Sequence, residues 1–73
     1  MAHNAQKYRY GNLVVEVRSI NTIDARTNKY ECLVRGFGHN NPVPRETYIV
    51  NAATNAQASR NALQLYIEEY GKK

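Results

Sequence analysis

A single cysteine, Cys32, has no partner for an intramolecular disulfide and cannot build a multi-cysteine zinc site. That fits a reducing compartment. No window approaches the roughly 18 to 20 apolar residues of a membrane span, and the start MAHNAQKY lacks the apolar stretch of a secretory leader. The expectation is a soluble protein of the cytoplasm with no membrane partner. Acidic residues are also few, six Asp and Glu against ten Lys and Arg, for a formal net charge of +4. This balance favours anionic surfaces without naming one.

Groups that carry chemistry are equally sparse. The two histidines, His3 and His39, lie in a polar start and in a Pro/Asn-rich stretch, and with Cys32 they show no metal-ligand spacing. Cys32 sits in an apolar, strand-like context that suits a small buried hydrophobe better than an activated thiol. Glu68 and Glu69 are sequence neighbours and would fall on different sides of a helix, so they do not form a catalytic carboxylate pair. Gly36-Phe37-Gly38 lacks the third glycine or the Lys-Ser/Thr of a phosphate loop and leads into prolines rather than a helix. These absences point to a non-enzymatic chain with no catalytic residues, no cofactor and no metal.

What is present is pattern. Seventy-three residues allow one small domain with one core. Residues 1 to 6 are small and polar and are expected to form a mobile tail; residues 7 to 71 form the domain, and residues 72 to 73 a C-terminal tail. LVVEVRS, residues 13 to 19, alternates as a strand, with Leu13, Val15 and Val17 on one face. Gly11-Asn12 before it reads as a bulge or kink that separates Tyr8, Arg9 and Tyr10 from the regular part. Residues 20 to 28, INTIDARTN, break the alternation and read as a long hairpin loop. KYECLVRGF, residues 29 to 37, is a second strand. GHNNPVPR, residues 38 to 45, cannot continue a ladder and reads as a loop, and ETYIVNA, residues 46 to 52, is a third strand.

Thr54 followed three residues later by Gln57 has the spacing of a capping box, which predicts a helix from that point. At about 100° per residue, Ala58, Ser59, Ala62, Leu63, Tyr66 and Tyr70 share one side of it. Gly71 supplies the stop. The predicted fold class is α+β: a three-stranded antiparallel meander followed by one C-terminal helix packed on one sheet face, βββα. Leu13, Val15, Val17, Tyr30, Cys32, Val34, Tyr48 and Val50 would face the helix. The opposite face would carry Val14, Glu16, Arg18, Glu31, Leu33, Arg35, Phe37, Thr47 and Ile49, apolar side chains interspersed with arginine, as protein interfaces are.

Charge is divided along the chain. Lys7, Arg9, Arg18, Arg26, Lys29, Arg35 and Arg45 precede the third strand against Glu16, Asp24 and Glu31, whereas the helical segment holds Arg60 against Glu68 and Glu69. The helix is therefore not a phosphate-facing element. This matters because three strands and a helix with A-x-x-x-A-L along NAQASRNALQLYI resemble the C-terminal half of a double-stranded-RNA-binding domain. In that family the helix opens with lysines that grip phosphate. Here Thr54, Asn55, Ala56 and Gln57 stand at that place, and the family's N-terminal helix is absent, so the activity does not transfer.

In length and organisation the chain also resembles the small RNA-polymerase-binding transcription regulators of lytic Xanthomonas phages. That resemblance implies host takeover in a bacterial cytoplasm through contact with the large polymerase subunits, inhibition of initiation, and altered termination or antitermination. It assigns no residue a role. From the residues themselves, Lys7, Tyr8, Arg9 and Tyr10 form one candidate partner-binding group, and Arg35, Phe37 and Arg45 a second. For residues 7 to 10 three readings stay open: an edge strand protected by its cations, a base-stacking nucleic-acid arm, and a protein anchor rich in Tyr and Arg. The expected partner is a large protein assembly, with a nucleic acid as the alternative. A monomer is favoured over a homodimer formed through the bare sheet face.

Overall fold

The computed structural model describes residues 5–38 and 43–71. His3, His39, the tail residues 1–4 and 72–73, and part of the proline loop, 39–42, lie outside the described residues. Four strands, β1 (Gln6–Tyr10), β2 (Leu13–Asp24), β3 (Thr27–Gly36) and β4 (Glu46–Ala52), precede one helix, α1 (Asn55–Tyr70). They form one antiparallel sheet in the order β1-β2-β3-β4. The expected three-stranded meander is thus corrected to four strands. The extra strand is QKYRY itself, the start of the sheet.

A tight turn makes β1 possible. Tyr10 pairs with Leu13, so Gly11 and Asn12 are a two-residue hairpin loop and not a bulge or kink within one strand. Gly11 has φ +63° while Asn12 keeps a negative φ, the signs of a type II′ turn with glycine at its first central position. The turn holds Gly11 at a positive φ that glycine adopts without cost and a residue with a side chain does not.

The second hairpin departs from expectation in the opposite sense. The stretch read as a long loop, residues 20 to 28, is mostly strand, and only Ala25 and Arg26 lie between the Asp24–Thr27 pair. Alternation breaks there because Ile20 and Ile23 have no cross-strand partner; each is the extra residue of a bulge. Both isoleucines are about half exposed. The Arg26 N–H closes the tip by donating to the Asp24 carboxylate at 2.9 Å.

The helix begins as its capping box specifies. The Gln57 N–H donates to Thr54 Oγ1 at 3.1 Å, and the Gln57 side chain reaches back to accept from the Ala53 N–H at 2.8 Å. At the other end the Gly71 N–H donates to the Ile67 carbonyl at 2.7 Å. A Cβ on Gly71 would lie 2.6 Å from that same oxygen, so the close approach requires glycine.

Small residues let α1 settle low on the sheet. Ala58, Ser59 and Ala62 are fully buried and sit over Val15, Val17, Cys32 and Val34, which are fully buried too. Tyr30, Val50, Ala52 and Tyr66 complete this core, and Tyr8, Tyr10, Leu13, Tyr48 and Leu63 pack around its margin. Each buried valine contributes about 1.5 to 3 kcal/mol. Ser59, the one buried polar residue among the described residues, is satisfied: its hydroxyl donates to the Ala56 carbonyl at 2.7 Å and therefore accepts from the Tyr10 hydroxyl at 2.5 Å. The Cys32 thiol points at the Ala58 carbonyl, 3.8 Å away.

The close seat of α1 yields a stability prediction. Ala62→Leu should destabilise the fold by about 1 to 3 kcal/mol in urea unfolding, because the added methylenes have no space. Asn61→Leu, one position round on the exposed side, should stay within about 0.5 kcal/mol.

Candidate functional site

One helix covers one face of the sheet and leaves the other uncovered. Register fixes what that open face carries. Across the strands run the rows Lys7–Glu16–Leu33–Thr47, Arg9–Val14–Arg35, Arg18–Glu31–Ile49 and Lys29–Asn51. Directly opposed residues point to the same side of a sheet, so these side chains share a surface.

Two ion pairs organise it. Arg35 Nε donates to Glu16 Oε2 at 2.8 Å along a diagonal between β3 and β2. Arg18 binds Glu31, its direct cross-strand neighbour. Pairs this exposed add at most about 1 kcal/mol each, so their larger effect is to hold the guanidinium groups in place. Between the pairs lies a shallow hollow of about 300 Å3, lined by Ala5, Glu16, Arg18, Glu31, Leu33 and Thr47.

At one end of this face the two candidate groups of the sequence meet. The Arg9 guanidinium stacks over the Phe37 ring at 3.7 Å from its centroid, and Arg9 Nε donates to the Gly11 carbonyl at 3.0 Å. Val14 is buried although it faces this side, and Arg9 and Arg35 flank it in register on the neighbouring strands. Lys7 lies one row along on the same surface. Arg45, exposed, directly precedes the Glu46–Val34 pair, at the end of the sheet that holds Arg35.

The tyrosines of KYRY are placed elsewhere. Strand alternation turns Tyr8 and Tyr10 to the helix side, where both pack against the core and Tyr10 binds Ser59. Lys7, Arg9, Arg35 and Phe37 are brought to one surface; Tyr8 and Tyr10 are not. β1 is an edge strand with its two cations turned away from the core.

On the opposite, helix-covered side lies a cluster that sequence reasoning did not single out. The Tyr48 hydroxyl donates to Glu69 at 2.7 Å, the Tyr70 hydroxyl to Glu46 at 2.6 Å, and the Tyr66 hydroxyl to the Pro44 carbonyl at 2.7 Å. Tyr66 and Tyr70 stack at a tilt, 4.8 Å between centroids. The hydrogen bond to Glu46 pushes the Tyr70 phenol up to about 12, and desolvation with the Glu69 bond raises Tyr48 as well. Tyr48 and Glu69, like Glu46 and Tyr70, are far apart in sequence, so only the return of α1 over β4 brings each pair together.

Among the described residues no group of three His, Cys, Asp or Glu is placed to hold a metal ion, and no helix is long and apolar enough to cross a membrane. Compared with known proteins, the chain matches no family model, no curated protein and no solved structure.

The tyrosine–glutamate cluster sets an alkaline limit. The folded state holds these phenols protonated above their ordinary value near 10. Their contribution is therefore complete below about pH 10 and is lost as pH rises towards the folded value, near 12 for Tyr70. Cys32, raised from 9.0 to about 11 mainly by burial, adds to the loss from pH 9 upwards. Urea midpoints should fall between pH 9 and pH 12, and Tyr70→Phe or Tyr48→Phe should lessen the fall.

Proposed function

We propose that this chain is a non-enzymatic binding protein that docks the open face of its sheet onto a larger protein assembly. The specific partner proposed is bacterial RNA polymerase, where occupancy by this small domain would oppose initiation and modulate termination. The carrying observation is the Arg9–Phe37 stack beside Arg35 and Val14, continuous with Leu33 and Ile49 across the uncovered face. Arginine, aromatic and aliphatic groups interleaved on a surface without charge excess at its centre are what protein partners bury. The polymerase assignment rests on the resemblance in length and organisation to phage regulators. Contacts come from Lys7, Arg9, Arg35, Phe37 and Arg45; Tyr8 and Tyr10 support them from beneath by fixing β1 to the core.

A second reading has its own support. Glu16 and Glu31 are neutralised within the face, whereas Lys7, Arg9 and Lys29 have no carboxylate partner among the described residues. The surface is therefore more cationic than its acid count suggests, and a nucleic-acid backbone could lie along it.

An immobilised chain should retain RNA polymerase from a bacterial lysate treated with nuclease. Lys7→Ala with Arg9→Ala should abolish retention while changing stability by no more than about 1 kcal/mol, since only exposed contacts and one cation–π stack are removed. Retention of nucleic acid but not polymerase, with log affinity falling against log salt at a slope of about −3 for three phosphate contacts, would establish the second reading instead.

A further inference from the structure

The two edges of the sheet differ in kind. β1 presents Lys7 and Arg9 along a five-residue edge, a charge placement that discourages another strand from adding. β4, at the other edge, has no Lys, Arg or Pro among its seven residues and pairs with β3 without a register break. Its centre is Ile49, 54% exposed. Among the described residues, β4 therefore lacks the cations, proline and bulge that commonly protect an edge, and its one charge is Glu46 at the first position.

The two rims of that edge have different chemistry. On the open-face rim stand Thr47, Ile49 and Asn51, uncharged. On the helix-side rim stand Glu46, Tyr48 and Val50, with Glu69 brought alongside by its bond from the Tyr48 hydroxyl. Neither Glu46 nor Glu69 has an ion-pair partner among the described residues. Glu69 also lies in the last turn of α1, which holds no basic residue, so the helix dipole adds to the negative potential.

We propose that the outer edge of β4 is a strand-addition site for an extended segment of a partner protein that alternates apolar residues with Lys or Arg. Its main chain would complete the unpaired ladder of β4. Its apolar residues would cover Ile49, and cations two positions apart, about 7 Å along a strand, would meet Glu46 and Glu69. A second copy of this chain is the poorer occupant. Its own β4 offers only Glu46, Tyr48, Val50 and Ala52 to the acidic rim, with no cation to answer the two carboxylates.

The test is a titration of the isotope-labelled full chain, followed by amide shifts, with two capped seven-residue peptides, one alternating Lys and Val and the other Glu and Val. The Lys/Val peptide should shift and protect the amides of residues 46 to 52 with a Kd below about 1 mM. The Glu/Val peptide should bind at least about tenfold more weakly, and Glu46→Gln with Glu69→Gln should bring the two peptides together. Equal binding of both peptides to the unaltered chain, shifts confined to β1 or the open face, or no binding at several-fold higher concentration (about 5 mM) would overturn the proposal. So would concentration-dependent changes in the β4 amides without peptide, which would assign the edge to a second copy. No polymerase enters this experiment, so its outcome is separate from that of the open-face reading.

Discussion

The close seating of α1 on the sheet is the constraint from which the remaining architecture follows. Ala58, Ser59 and Ala62 bring the helix backbone near Val15, Val17, Cys32 and Val34, and the side chains between them leave no solvent access. With a single helix, only one side of four strands can be sealed in this way. The other side has to stand in water on its own resources, and cross-strand ion pairs and one cation–π stack supply them. Function is therefore most economically sought on the side that the core does not use.

Strand parity carries this division down to single residues. In QKYRY the same alternation that sends Tyr8 and Tyr10 under the helix sends Lys7 and Arg9 out to meet Phe37 and the row of Val14 and Arg35. Four consecutive residues thus serve two surfaces. The tyrosines add packing against the core to the ladder that pairs this edge strand with β2, and the cations inherit a fixed position from both. A flexible basic tail would carry the same charge without the placement.

Much of this was legible from the residues. Period-two alternation in residues 13 to 19 and 29 to 37 specified which side chains meet the helix, and Thr54 with Gln57 marked where the helix starts. For residues 7 to 10 an edge strand is only one of three open readings in the sequence, because their alternation is between tyrosines and cations, with no aliphatic residue, and because Gly11-Asn12 reads as a kink as readily as a hairpin turn. The long second hairpin was obscured by its bulges, which displace Ile20 and Ile23 from the pattern that alternation would detect. For the candidate site, the residue types were visible but their association was not. The Arg9–Phe37 stack and the Tyr48–Glu69 and Tyr70–Glu46 bonds join positions that only the assembled sheet and the returning helix bring together.

Cys32 illustrates how the core isolates the chain from its surroundings. Its thiol lies between sheet and helix, aimed at the Ala58 carbonyl, and burial pushes its pKa up to about 11. At neutral pH it is neither ionised nor reachable, so oxidants and alkylating reagents have no nucleophile to attack while the fold is closed. The same thiol becomes reactive once the helix lifts, which makes the one cysteine an internal clock for the opening of the whole domain.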